Sequence, residues 1–250
     1  MNLEIRSGYL MSVYLSKIEL YYTKPENINN NIISIDGLDF NHITKVMRHK
    51  IGDIIYVTDG EGNIYNGGIE SINKILLTIK VTAKKNYINR FNNITVCIAN
   101  LKKTERIEFA IEKATEIGIT NFIIFNSKRT IQKKIREDRL NKISLSAMKQ
   151  SLNSHLPKIT IYNSLSFLND TNKEIILFDQ ESKIKFSSDI INLNKNYFLL
   201  FGPEGGFEEE EIPKELNKSI FNLAPNRLRT ETAVVCAVSK LLTYITQYDL

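Results

Sequence analysis

The chain has 250 residues, 42% of them hydrophobic and 24% charged, a balance that suits a globular protein of two unequal domains. No apolar run approaches the roughly 18 to 20 residues of a membrane-spanning helix, and the N-terminus shows no secretory pattern. Cys97 and Cys236 have neither CxxC nor Cys/His spacing, so the expectation is a cytoplasmic protein with two reduced core thiols and no structural zinc, whose net charge of +5 and pI near 9.0 suggest a polyanionic partner.

Residues 1–10 read as an extension and residues 40–49 as a short helix. From residue 51 to 82 the pattern is β-runs with turn punctuation: IIYVT, then DGEGN, then NIYNGGIE, then ILLTIKVT. The Asp59-Gly60 and Gly62-Asn63 pairs tolerate positive φ, so the first two runs should form a hairpin with a longer loop, inside a compact β module. A polar stretch, KKNYINRFNN at 84–93, reads as a hinge, after which the texture changes.

ITVCIAN at 94–100 is a buried strand, and Ile107, Ala110, Ile111, Ala114 and Ile117 recur at helical spacing on a helix ending near Gly118. Further strands are NFIIFN, EIILFD at 174–179, NYFLLF at 196–201 and SIFNLA at 219–224. Strands alternating with helices predict an α/β domain with a mainly parallel sheet, whose ligand site lies beyond the carboxyl ends of the strands. Two basic groups stand out: Lys102, Lys103 and Arg106, then Lys128, Arg129, Lys133, Lys134, Arg136 and Arg139. They suit either a solvated surface or a grip on a polyanion.

Two loops carry the chemical signal. The first, Phe201-Gly202-Pro203-Glu204-Gly205-Gly206-Phe207, has three glycines that allow positive φ and close backbone approach to a ligand, with Pro203 to stiffen the turn. It has neither the Lys-Ser/Thr of a P-loop nor the dinucleotide GxGxxG, and the acidic run Glu208–Glu211 argues against phosphate. That run is expected to open a helix, delayed or kinked by Pro213. The second loop, Leu223-Ala224-Pro225-Asn226-Arg227-Leu228-Arg229-Thr230-Glu231-Thr232-Ala233, leads into a helix with an apolar stripe of Val234, Ala237, Val238, Leu241 and Ile245. Thr230 is its expected N-cap.

Together these loops resemble those of the SPOUT methyltransferase superfamily, and specifically of the RsmE family, which methylates N3 of a uridine in 16S rRNA. The likeness extends through Leu101–Arg106, Ile111–Gly118, Ser127-Lys128-Arg129 and Ala147–Ser151. His42–Arg48, with Gly52-Asp53 and Asp59-Gly60, is similar to the family's PUA-like RNA-binding barrel. The chain departs from the family at Leu152-Asn153, where Gly then Arg is frequent, at Glu112, often Gln, and at Thr104, often Gly.

The resemblance implies a small N-terminal PUA-like β-barrel at residues 11–84 and a SPOUT domain at 92–250, whose mainly parallel sheet is tied in a trefoil knot. It implies S-adenosyl-L-methionine as cofactor, held by Phe201, Gly202, Pro203, Glu204, Gly205, Gly206, Leu223, Asn226, Leu228, Arg229 and Thr230. RNA contacts are implied at His42, Arg48, Lys103, Arg106, Lys128, Arg129 and Gln150. The implied partners are 16S rRNA in the small ribosomal subunit and a second copy of the chain, with no membrane and no metal.

Catalysis is assigned to Arg229, a permanent cation able to stabilise a uracil anion, and to Glu231. Glu231 suits three roles: orienting Arg229, accepting a proton, or complementing a helix dipole. His42, His49 and His155 are bases by chemistry alone. Competing readings are a superfamily enzyme acting on ribose 2′-O or guanine N1, and a non-catalytic ribosome-binding protein.

Overall fold

The structure, a computed structural model, describes residues 18–130, 134–169, 172–192, 194–208, 210–213 and 215–246. The expectations for residues 1–10 and for Lys133, Glu209 and the side chain of Ile245 lie outside the described residues. The chain divides into two compact units, one of Met1–Ile88 with Met148–Leu156, the other of Asn89–Ala147 with Pro157–Leu250.

The first unit is a six-stranded sheet. Its strands are β1 (Leu20–Tyr22), β2 (Ile28–Asn29), β3 (Ile32–Ile35), β4 (Ile54–Thr58), β5 (Asn63–Ile72) and β6 (Leu77–Asn86), in the order β1-β4-β5-β6-β3-β2. The expected hairpin is the antiparallel β4–β5 pair. Its loop is organised by Asp59, whose buried carboxylate accepts from Glu61 N at 2.8 Å, Asn63 Nδ2 at 2.6 Å and Tyr65 Oη at 3.1 Å. The β5–β6 register shifts between Asn66 and Gly67, and a Cβ on Gly67 would stand 2.3 Å from Lys80 O, so only glycine fits this crossing. Tyr21, Ile33, Ile35, Phe40, Ile43, Val57, Leu77 and Ile79 fill the core.

Two expectations are corrected in this unit. The polar hinge begins later than expected, because β6 runs on to Asn86 with Lys84 over the Tyr65 ring; polar residues there mark the wet end of a long ribbon. The helix expected at 40–49 is α1 (Gly37–Asn41) followed by a wider turn at His42–Val46, and Arg48 turns the chain out with φ 59°. Strands β1 to β3 carried no signal strong enough to be expected.

In the second unit β7 (Ile94–Ala99), β8 (Asn121–Phe125), β9 (Lys158–Tyr162), β10 (Glu174–Phe178), β11 (Tyr197–Phe201) and β12 (Lys218–Phe221) form an entirely parallel sheet in the order β12-β10-β11-β7-β8-β9. All residues of β7 and β11 are buried, as continuous apolar runs at the centre of a parallel sheet require. From β7 the chain steps outward through β8 and β9, then β10 and β11 return on the other side of β7. The α/β fold class with a mainly parallel sheet is thus the observed one.

Helix α2 (Thr104–Ile117) buries Ile107, Ala110, Ile111 and Ala114 and ends on Gly118 at φ 116°, a left-handed cap. It packs on α4 (Thr230–Thr246), whose Val234, Ala237, Val238 and Leu241 are fully buried. Between them in sequence lies α3 (Glu137–Gln150), which was not expected from its pattern. Its Arg139 Nη2 donates to buried Glu108 on α2 at 2.7 Å. The chain leaves α3 through Leu152, at φ 57°, with Asn153 N donating to Met148 O. A left-handed residue there is a position that glycine would occupy without strain.

Two further expectations fail here. Among the described residues no helix follows the Gly-rich loop: Glu210–Ile212 and Glu215–Leu216 are turns and bends, because successive carboxylates repel and Pro213 blocks propagation. The last strand stops at Phe221 and not at Ala224, since Asn222 onward turns into the loop. Among the described residues no helix is long and apolar enough to cross a membrane.

Candidate active site

A cavity of about 850 Å³ opens beyond the carboxyl ends of β10, β11 and β12, the place a parallel sheet offers a ligand. Three successive loops line it. After β10 come Asp179, Gln180 and Glu181; after β11 comes Gly202–Phe207; after β12 come Asn222–Ala224 and Asn226–Thr230. Leu177, Phe178, Phe201 and Ala233 supply apolar wall, and Arg106 and Arg129 reach in from neighbouring elements.

The Gly-rich loop holds its shape by identifiable contacts. Gly206 N donates to Pro203 O at 2.9 Å, closing a turn in which Gly206 alone of the three glycines takes a positive φ, 70°. Gly202 is needed for another reason: a Cβ there would approach the Phe207 ring to 2.8 Å. That ring stacks on Phe125, with centroids 6.2 Å apart. Gly205, with ordinary φ, exposes its backbone and leaves room for the Arg129 side chain.

Thr230 joins the two loops. The expectation that it caps α4 is corrected: it is the first helical residue, and Arg229, whose O accepts from Ala233 N at 2.8 Å, holds the cap position. Thr230 Oγ1 instead donates to Gly202 O at 3.0 Å, satisfying a carbonyl that has no backbone partner among the described residues.

Cations surround the same loop. Arg106 Nη1 donates to Glu204 Oε1 at 2.8 Å, and its Nε lies 3.4 Å from Glu231 Oε1. Arg227 Nη2 donates to Glu204 O at 3.1 Å, and Arg129 Nη1 to Gly205 O at 2.6 Å. Lys128 N donates to Glu211 Oε1 at 2.7 Å, while Lys128 Nζ stands 3.6 Å from Glu208. The acidic run therefore serves as a set of acceptors for the Ser127–Thr130 turn.

All eleven residues expected to hold the cofactor, Phe201 to Gly206 with Leu223, Asn226, Leu228, Arg229 and Thr230, line this one cavity. Arg229 is exposed at its mouth. Glu231 sits behind, mostly buried, with its ion pair to Arg106. Of the residues expected to touch RNA, Arg106 and Arg129 line the cavity, Lys128 adjoins the Gly-rich loop, and Lys103 is exposed just before α2. His42, Arg48 and Gln150 belong to the first unit, where Arg48 and Gln150 are exposed and the His42 ring lies 6.0 Å from that of Tyr21. None of the three histidines lines the cavity.

Sequence reasoning missed Asp179, Gln180, Glu181 and Arg227. The signal was present for the first three, since EIILFD is a strand like its neighbours and its own loop had to end at the same edge. Arg227 stood inside the second loop without any pattern to separate it from Arg229.

Residues 89–242 match the family described as RNA methyltransferase domain, and residues 35–82 match the RNA methyltransferase PUA domain. The ribosomal RNA small subunit methyltransferase E of Bacillus subtilis is 33% identical over 83% of this chain and 88% of its own length. The protein of the same name from Buchnera aphidicola of Acyrthosiphon pisum is 28% identical over 91% and 94%. A probable rRNA-methyltransferase from Porphyromonas gingivalis superposes with a TM-score of 0.80 at 28% identity, over 92% of this chain and 100% of that one. The Neisseria gonorrhoeae methyltransferase E, solved bound to S-adenosyl methionine, has the same fold, with a TM-score of 0.80 at 23% identity over 91% and 98%. With a methyltransferase domain spanning more than half of its length and a relative this similar along most of the rest, the chain belongs to the ribosomal RNA small subunit methyltransferase E family.

Proposed function

We propose that this protein transfers a methyl group from S-adenosylmethionine to N3 of a uridine in 16S rRNA. The observation that carries the reading is the gathering of eleven residues, from two loops expected to bind the donor, around one cavity of about 850 Å³. That volume lies within the roughly 300 to 1,000 Å³ of small-molecule sites. The lining suits the donor: aromatic and aliphatic walls for a purine, exposed backbone at Gly205 and Gly206 for polar edges, and carboxylates at Asp179 and Glu181 for a cationic ligand.

When bound, the donor supplies an activated methyl on a sulfonium centre, so the protein's task is orientation and electrostatics. Uracil N3 must lose its proton as the methyl arrives. Arg229, exposed at the cavity mouth, is assigned the stabilisation of negative charge on O2 and O4. Glu231, paired with Arg106, is assigned the orientation of the cationic wall and complements the N-terminus of α4.

Residues 11–84 are assigned to the RNA-binding barrel and 92–250 to the catalytic domain. The match of residues 35–82 to a PUA domain supports the first, with His42, Arg48 and Gln150 as contacts, joined by Lys103, Lys128 and Arg129 from the other unit. A cytoplasmic homodimer with a trefoil-knotted catalytic domain completes the proposal. The test is to map 3-methyluridine in small-subunit rRNA from cells with and without this protein, and to follow labelled methyl transfer to that rRNA. An unmethylated N3 in both strains refutes the reading. Methylation of ribose or guanine would identify a different enzyme of the superfamily.

A further inference from the structure

We propose that Arg106 is a positioning residue of the donor site, clamping the Gly-rich loop to the start of α4, and is not part of the RNA grip. This rests on reading the cavity as a methyl-donor site. The local sequence puts Arg106 in the first turn of α2, a helix packed on α4, so its side chain springs from a rigid base. From there it divides its guanidinium between two carboxylates, one in the Gly-rich loop and one in the first turn of α4: Nη1 to Glu204 at 2.8 Å and Nε to Glu231 at 3.4 Å.

Burial decides the role. The Arg106 side chain is 20% exposed and that of Glu231 is 12% exposed. The second oxygen of Glu231 is buried without a hydrogen-bond partner among the described residues. Arg106 is thus what offsets the Glu231 charge, and turning it toward an RNA phosphate would leave a buried carboxylate uncompensated. Glu204 is held twice, its side chain by Arg106 and its backbone carbonyl by Arg227. A planar guanidinium can address both carboxylates from separate N–H groups, which a lysine ammonium cannot do with the same geometry. The clamp ties the Gly-rich loop to the first turn of α4, both of which line the cavity.

The test titrates S-adenosylmethionine calorimetrically into the full-length protein and its variants Arg106→Met, Arg106→Lys, Glu204→Gln and the double Arg106→Met/Glu204→Gln. In parallel, binding of transcribed small-subunit rRNA is followed against salt. The clamp predicts that Arg106→Met weakens donor binding about tenfold or more, that Arg106→Lys recovers part of it, and that the double variant is no weaker than Arg106→Met. The salt slope of RNA binding should match the parent's. Glu204→Gln leaves the Arg106–Glu231 pair in place, so its loss of donor affinity reads the clamp without disturbing the fold. Parent-like donor affinity in Arg106→Met, losses that multiply in the double variant, or an RNA salt slope lowered by about one unit with donor binding intact would each overturn the clamp. A parent protein that takes up no donor overturns the reading of the cavity itself.

Discussion

Replacing Thr230 by Val tests whether the hydrogen bond between the two loops shapes the donor site. Val has nearly the volume of Thr, so at this 9% exposed position the change removes one hydroxyl and little else. The lost contact is Thr230 Oγ1 to Gly202 O at 3.0 Å. A neutral hydrogen bond contributes about 0.5 to 1.5 kcal/mol, and a buried acceptor left without a donor costs about 1 to 3 kcal/mol. Taking about 1.4 kcal/mol as the share felt by the loop arrangement gives a roughly tenfold weaker donor. Calorimetric titration with S-adenosylmethionine should show this loss in Thr230→Val and parent-like binding in Thr230→Ser, which keeps the hydroxyl. Thermal unfolding run alongside separates a loosened site from a loosened fold. A Thr230→Val protein that unfolds earlier yet binds donor as the parent does would refute the argument, because the bond would then serve stability alone.

Gly206→Ala places a Cβ at φ 70°, where space is open but the backbone is strained; a loss of about 1 kcal/mol and weaker donor binding are expected, and calorimetry on the variant checks both the site and its geometry. Asp59→Ala removes the acceptor of Glu61 N, Asn63 Nδ2 and Tyr65 Oη at a buried position, so chemical unfolding followed in the first unit should report a loss of about 3 kcal/mol or more; a loss under about 1 kcal/mol would mean that water replaces the carboxylate. Burial lowers the His155 pKa below its ordinary 6.5, so as pH falls the unfolded chain takes up the proton first. Stability associated with this residue should therefore be full above about pH 6.5, decline below it and level off under the folded pKa; His155→Gln should flatten that part of the stability curve, and an unchanged curve would show that the ring titrates as in water.

What was legible in the sequence was mostly local. The stripe Ile107, Ala110, Ile111, Ala114 forced α2 onto the sheet, and fully apolar runs such as ITVCIA and YFLLF had to be central parallel strands. The two chemical loops announced themselves because glycine and proline are costly unless a turn needs them. By contrast β1 to β3 are two to four residues long, too short for a period to show, and α3 is dominated by charged and polar residues whose partners lie elsewhere. The helix expected after the Gly-rich loop failed because its acids were read as complements to a helix dipole. Their partners are the Lys128 backbone, Lys128 Nζ and Arg129, some 80 positions earlier in the chain. Charge complementarity at that separation leaves no trace in a linear pattern.

The same non-local pairing sorts the four arginines at the cavity. In the sequence Arg106 and Arg129 read as RNA contacts and Arg229 as a catalyst, while Arg227 had no role. In the fold Arg106, Arg129 and Arg227 each hold an atom of Glu204 or Gly205, so their charges are engaged in shaping one loop. Arg229 makes no ion pair or side-chain hydrogen bond among the described residues and is exposed at the mouth of the cavity. A cation that must meet a charge appearing only as the reaction proceeds is best kept without a ground-state partner, because any existing pair would have to be broken first. Arg106 and Arg227 cannot move to the substrate without loosening the loop that positions the donor, and Arg129, which holds Gly205 O through Nη1, can meet an RNA phosphate only with the rest of its exposed guanidinium. The proposed division of labour follows from that constraint: three cations maintain the site, and the fourth is left to answer the uracil anion.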